Sequence, residues 1–258
     1  YLKQLNSGML LATSNSKLSK VTNVGITELK AGLASGVPSF ASINDYAVMV
    51  NGTDMIKTNG MITTTFGIRR PDTTEWSALA VAGGTMPTGV YDIEICYFNS
   101  TTQHNGPISL SKTVTVAGGQ QIQLTLPSIA TVNDLQVSHI KVFIRQQSTS
   151  QLFYLMDFID AFNGGTAVFS TVEQAFDMAV VSTTLKLNPT QGHINNFLTL
   201  APAINDNLID LDTSFRFVVA HRQRLFAFDH YNMYWSDPGD PETMNTVDNV
   251  LTVGINDG

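Results

Sequence analysis

Two stretches near opposite ends of the chain overlie without a gap: YAVMVNGTDMIKTN from Tyr46 and RLFAFDHYNMYWSD from Arg224. Val48 falls on Phe226, Val50 on Phe228, Asn51 on Asp229, Met55 on Met233, Thr58 on Ser236 and Asn59 on Asp237. A third stretch, MLLATSNSKLSK from Met9, has the same layout of apolar run, polar turn and alternating run. Period-two apolar positions on both sides of a turn such as Asn51-Gly52, whose residues tolerate positive φ, make an antiparallel hairpin. A chain that repeats one hairpin must give its copies equivalent surroundings, which narrows the possible folds more than any other feature here.

The first and second copies lie 37 residues apart, close to the roughly 40 residues per four-stranded blade of a repeat-built propeller. The second and third lie 178 apart, so something is inserted between them. The insert has strand candidates at VYDIEICYFN (90–99), ISLSKTVTVA (108–117), QQIQLTLP (120–127), SHIKVFIRQQ (138–147), QLFYLMDFI (151–159) and TAVFSTV (166–172). Turn-rich pieces separate them, and alternation as clean as Gln121-Ile122-Gln123-Leu124-Thr125-Leu126 predicts a small antiparallel sandwich of immunoglobulin or fibronectin type. Its borders have loop composition, AVAGGTMPTG before and TTLKLNPTQG after. The expected fold is all-β: propeller-type blades over 1–79, an inserted sandwich over 80–182, and a further blade over 183–258. ITELKAGLASG (26–36) reads either as a helix with Ile26, Leu29 and Leu33 on one face and Gly36 as its cap, or as a strand and loop.

Composition removes several classes of function. With 14 Lys and Arg against 21 Asp and Glu, the net charge of −7 speaks against general affinity for phosphate backbones, and no sequence-specific nucleic-acid binding is expected. No apolar run approaches the roughly 20 residues needed to cross a bilayer as a helix, so no membrane insertion is expected. The single cysteine, Cys96, excludes an intrachain disulfide and sits in an apolar strand run, which predicts a buried, inert thiol. A start at Tyr1 and a stop at Gly258 within INDG fit part of a longer polypeptide.

GVPSFASINDYAVMVNGTDMIKTNG (36–60) resembles the blade segment of β-propeller proteins in tailed-phage virions, with its aromatic strand, Asn-Asp turn, second strand and NG turn. RLFAFDHYNMYWSDPGDPETMN (224–245) resembles another signature of those proteins, a Tyr/Trp-Ser strand end followed by an Asp-Pro-Glu turn. In that turn Met244 stands where Trp is common in the family. GVYDIEICYFNSTTQHNGPIS (89–109) and HIKVFIRQQSTSQLFYLMDF (139–158) look like the fibronectin type III-like insert that such propellers often carry. The resemblance implies a structural virion component of the tail or head-to-tail connector. Such a component assembles in a ring with copies of itself and with other phage tail or connector proteins, without catalysis.

The acidic turn SDPGDPE places Asp237, Asp240 and Glu242 around two prolines. That spacing does not follow a calcium loop, and Pro238 and Pro241 push the preceding aspartates toward extended backbone, so a rigid strand exit is expected rather than a metal site. Ser236-Asp237-Pro238-Gly239-Asp240 is also similar, with shifted spacing, to the Ser-x-Asp-x-Gly turn of sialidase propellers, whose chemistry needs clustered arginines; of Arg69, Arg70, Arg145, Arg216, Arg222 and Arg224, two pairs are crowded together and one residue falls in the sandwich. His221-Arg222-Gln223-Arg224 is read as a charged strand edge or an inter-subunit patch. His104 and His139 match no zinc spacing. Asn51-Gly52-Thr53 and Asn99-Ser100-Thr101 fit the glycosylation pattern. No catalytic, cofactor-binding or metal-ligating residue is assigned, and no cofactor is expected.

The expected function is therefore assembly of a virion, with no enzymatic activity. Trp76, Tyr231, Tyr234 and Trp235 raise an alternative, a carbohydrate-binding or glycoside-hydrolysing propeller with an accessory β-sandwich, although aromatics on strands more often fill cores. An extracellular adhesion fragment is a further rival, against which the single cysteine argues.

Overall fold

A computed structural model describes residues 1–4, 8–99, 101–102, 104–148, 154–155, 158–159, 166–169, 176–177, 184–189, 214–244 and 249–253. The protein is all-β, with one short helical turn among the described residues. It divides into two compact units, Tyr1–Gly67 together with Asn207–Gly258, and Ile68–Asp206.

The first unit opens with two four-stranded antiparallel meanders. One comprises β1 (Leu2–Gln4), β2 (Leu10–Ser14), β3 (Lys17–Thr22) and β4 (Gly25–Ala31); the other comprises β5 (Ser39–Ile43), β6 (Tyr46–Val50), β7 (Met55–Thr58) and β8 (Thr63–Thr65). In each, the strands lie side by side in chain order. The stretch 26–36 forms no helix: Gly25–Ala31 is a strand on β3, Ile26 is 73% exposed, and only Leu29 and Leu33 of the proposed face pack inward.

The second unit holds β9 (Ser77–Ala82), β10 (Gly89–Asn99), β11 (His104–Asn105), β12 (Lys112–Val116), β13 (Gln120–Thr125), the helical turn α1 (Ile129–Val132), β14 (His139–Gln146), β15 (Tyr154–Leu155), β16 (Phe158–Ile159), β17 (Thr166–Phe169), β18 (Phe176–Asp177) and β19 (Thr184–Leu187). One sheet is built on β10 and β14, with β11, β12, β15 and β18 paired to them; the other runs β16-β17-β19-β13-β9. Tyr91, Ile93, Ile95 and Tyr97 alternate into one core with Ile140, Val142 and Ile144, where they meet Ile122, Leu124, Leu185 and Leu187 of the other sheet.

Three details differ from the sequence reading. Ala80–Ala82 and Thr184–Leu187, read as parts of border loops, lie in the strands β9 and β19 that flank β13, because their small or branched residues alternate onto the core. The compact unit accordingly extends beyond 80–182 at both ends. The sheets are not wholly antiparallel, since β17 runs parallel to β19. QLFYLMDFI is no single strand: its described residues form β15, paired with β14, and β16, paired with β17 in the other sheet.

The chain then returns to the first unit as a third meander, β20 (Phe217–His221), β21 (Arg224–Phe228), β22 (Asn232–Trp235) and β23 (Val250–Thr252). Its register reproduces the second meander at the offset of the sequence repeat. Ser39 pairs with Val50 as Phe217 does with Phe228, and Val48 pairs with Lys57 as Phe226 does with Trp235. The turns match as well. Asn51 Oδ1 accepts the N–H groups of Thr53 and Asp54 at 3.0 and 2.6 Å, and Asp229 Oδ1 accepts those of Tyr231 and Asn232, both at 2.6 Å. The Met9 stretch is a hairpin with a different turn, the two-residue Asn15-Ser16 at φ of 50° and 59°.

The three meanders pack face to face in chain order. Leu11 and Leu18 of the first meet Ala47, Met49 and Ile56 on one face of the second. Val48 and Val50, on its opposite face, meet Val218, Leu225 and Ala227 of the third. Strand β6 is therefore buried on both sides, as a continuous apolar run requires. Each of its fully buried Val or Met side chains contributes on the order of 1.5–3 kcal/mol.

Candidate functional site

The acidic turn is a fold device. Gly239 N–H donates to Gln223 O at 2.9 Å and Asp237 N–H to Thr243 O at 2.9 Å, while Asp240 Oδ2 accepts the Thr243 hydroxyl at 2.7 Å. Ser236, fully buried, accepts the Leu225 N–H on Oγ at 2.9 Å, and its carbonyl takes Arg224 Nη1 at 2.8 Å. Glu242 pairs with Lys57 of β7, with side chains only 11% and 14% exposed, so the turn clamps the third meander to the second. Asp237 Oδ1 accepts Asn249 Nδ2 at 3.3 Å, so the three carboxylates point to different partners.

The remaining residues singled out by sequence are dispersed. Arg69 forms a two-pronged pair with Glu75, which also accepts the Tyr97 hydroxyl at 2.8 Å. Arg145 pairs with Asp92 through Nη2 at 2.8 Å. Burial works to raise the Asp92 carboxyl, but hydrogen bonds from Thr113, Gln147 and Arg145 hold it below its ordinary value. Asn51 and Asn99 spend their side-chain amides inside the protein: Asn51 Nδ2 donates to Ala34 O and Asp54 Oδ2, and Asn99 Nδ2 to Gln136 O. His139 sits against Ser138 and edge-on to Phe98, and His104 lies on β11. Cys96 is fully buried, and burial pushes its thiol up to about 12, partly offset by Lys141.

The four proposed sugar-stacking aromatics form no common platform. Trp76 lies in the core of the second unit with its Nε1 unpartnered; Tyr234 turns inward against Phe215, and Tyr231 caps a turn at 65% exposure. Trp235 alone lies on the outer face of the third meander, and that face is the feature the structure assembles.

Its residues follow from strand alternation. Leu225 and Ala227 point into the core, so Phe226 and Phe228 point away from it; Val218 points in, so Phe217 and Val219 point out. Register sets them in two rows across the sheet, Phe217-Phe228-Met233-Leu251 and Val219-Phe226-Trp235. Phe217, Val219 and Leu251 are 53%, 40% and 51% exposed, and the Phe217 and Phe228 rings lie 5.6 Å apart. His221 and Arg224 border the rows at one end. Phe226, Phe228, Met233 and Trp235 are themselves only partly exposed, and the chemistry such a face offers is apolar burial or stacking rather than proton transfer. Sequence reasoning took RLFAF for the first strand of a hairpin; the signal that both its faces are apolar was present in the alternation Leu-Phe-Ala-Phe.

Two clefts lie at the turn end of the first unit. One, of about 260 Å³, is lined by Tyr1, Asn15, Lys17 and Leu33, and the other, of about 550 Å³, by Val37, Thr53, Arg216 and Phe217; Asn51 borders both. Asp54 Oδ2 accepts the Ala34 N–H at 2.7 Å, so the wall they share is a closed hydrogen-bond network.

No protein-family model matches the chain, and no curated protein matches it.

Proposed function

We propose that the chain is a structural virion protein of a tailed phage, part of the tail or head-to-tail connector. In this reading the three meanders of the first unit are blades of a β-propeller, and the second unit is an immunoglobulin or fibronectin type III-like insert carried between two of them. The observation that carries the reading is the stack of register-matched four-stranded meanders, two before the inserted unit and one after it. That order agrees with the resemblance of 36–60 and 224–245 to phage blade segments.

Function on this reading is assembly. Blades stacked face to face leave few free strand edges, and their apolar faces supply contacts that do not depend on net charge, which is screened within about 10 Å. The acids and arginines with most chemical potential are occupied in internal hydrogen bonds, which supports a scaffold over a hydrolase. A carbohydrate-binding reading draws on Trp235 and its aromatic neighbours, and a glycan array separates it. The direct test is mass spectrometry of density-banded virions of a phage encoding the chain, with immunogold labelling. The protein is expected at a fixed copy number on the tail or connector, and its absence from virions overturns the proposal.

A further inference from the structure

We propose that the larger cleft of the first unit binds a sugar acid, with Arg216 taking its carboxylate. The cleft, about 550 Å³, lies between the turn of the second meander at Asn51, Gly52 and Thr53 and the entry to β20 at Arg216 and Phe217. Residues 35–39, which lead into β5, form a further wall. All three walls belong to one compact unit, at a junction of two meanders that pack on each other. The volume falls in the range of roughly 300–1,000 Å³ usual for small-ligand sites.

The backbone fixes Arg216 at this junction. Its N–H donates to Phe228 O at 2.8 Å, and the carbonyl before it, Phe215 O, accepts the Gly52 N–H at 2.8 Å. The side chain runs across the Gly52 turn, where an added Cβ would lie 3.6 Å from Arg216 Cγ and 3.9 Å from Nε. Gly52 holds a φ of 92°, which favours glycine and leaves the turn bare beneath that stem. Among the described residues the guanidinium makes no ion pair or hydrogen bond, and none of those lining the cleft is acidic. Asp54, next in the turn, is engaged in the wall shared with the smaller cleft, its Oδ2 accepting Ala34 N–H and Asn51 Nδ2 at 2.7 and 2.8 Å. An unpaired guanidinium over an acid-free cleft suits a carboxylate.

The rest of the lining selects among anions. Asn51 has both side-chain atoms committed inside the turn, and Ser39 Oγ exchanges hydrogen bonds with the Val218 N–H and carbonyl. The hydroxyls of Ser35 and Thr53 are left for a ligand, beside the apolar surface of Val37, Pro38 and Phe217. One guanidinium, two hydroxyls and an apolar wall match the carboxylate, hydroxyls and C–H face of a sugar acid. An acidic peptide would bring an N–H at almost every residue, and these side chains offer no carboxylate or amide to accept it. Glycoside cleavage calls for a pair of carboxylates, so the site as described binds and does not cleave.

The test is titration of the full chain with trigalacturonate, followed by calorimetry and amide NMR, against its methyl ester, a tetraglutamate peptide and inorganic phosphate. Trigalacturonate is expected to bind with a Kd of about 1 mM or tighter and to move the amide resonances of Ser35, Gly52 and Thr53. The methyl ester, and separately the Arg216→Gln variant, are expected to bind at least about tenfold more weakly, since each removes the charged pair. Arg216→Gln should keep the wild-type urea midpoint, and Arg222→Gln, at a turn outside the cleft, should bind as the wild type does. No binding at about 10 mM trigalacturonate, or equal binding of the ester, of tetraglutamate or of phosphate, overturns the proposal, as does undiminished binding by Arg216→Gln. The site stands on the cleft alone: absence from virions would remove the proposed function and leave it, and a virion protein that binds no sugar acid would do the reverse.

Discussion

Replacing Lys57 by Met tests whether the acidic turn clamps two meanders together. Lys57 and Glu242 are paired with side chains 14% and 11% exposed, so removing the ammonium leaves a carboxylate held away from water. Breaking a buried pair from one side costs about 3–5 kcal/mol, whereas an exposed pair is worth about 1 kcal/mol or less. The lysine also stands over the Tyr46 ring at 5.7 Å, a contact worth about 0.5–1 kcal/mol. The two tryptophans report separately, Trp76 from the second unit and Trp235 from the first, so a Trp76→Phe background isolates the first unit by fluorescence. With a urea slope near 2 kcal/mol/M, the midpoint should fall by about 1.5–2.5 M. Changing Glu242 to Gln as well should recover most of the loss, because no unpaired charge is then buried. A fall below about 0.5 M, or a double variant no better than the single, would refute the clamp.

Other expectations are independent of that pair. A methyl group on Gly36 would lie 2.2 Å from the Asn51 carbonyl oxygen, so Gly36→Ala should cost at least about 2 kcal/mol in a urea melt, while Gly118→Ala, with nothing within 4 Å, should change stability by less than about 1 kcal/mol. Asp92 is held below its ordinary range when folded, so its contribution is complete above the unfolded value near 3.9 and is lost as pH falls through the folded one; Asp92→Asn should be destabilised by about 3 kcal/mol at pH 7 and lose part of the acid slope of its urea midpoints. Cys96, buried and raised to about 12, should react with a thiol reagent at pH 8 only on unfolding, and full labelling of native protein within seconds would contradict its placement.

The hairpin repeat was legible because a hairpin is local. Period-two alternation and an Asn or Asp at the turn fix register without distant residues, and Asn51 and Asp229 bond to the second and third N–H groups after them in the same way. The Met9 copy was legible as a hairpin but not by its turn, since Asn15-Ser16 closes β2 on β3 with two residues. Strands β9 and β19 were hidden because they lie beside β13 through pairings distant in sequence, and because Ala78 and Ala80 carry little apolar signal. The split of 151–159 between two sheets has no local signature at all. Among the candidate residues, sequence named Trp235 but not Phe217, Phe226 or Phe228 as its companions, because facing is decided by which neighbour a strand meets.

That last point explains why one repeat yields two chemically different faces. Positions 47, 49, 225 and 227 stay small or flexible, Ala, Met, Leu and Ala, because each must fit beneath the preceding meander. Positions 48 and 50 are Val where 226 and 228 are Phe. Valine at 48 and 50 is held to its size by the third meander, which covers it to 0% exposure. No described sheet of this chain imposes that limit on Phe226 and Phe228, so their size is set by whatever surface they meet. An aromatic row kept in register but enlarged in volume is therefore what a face without a covering sheet among the described residues permits.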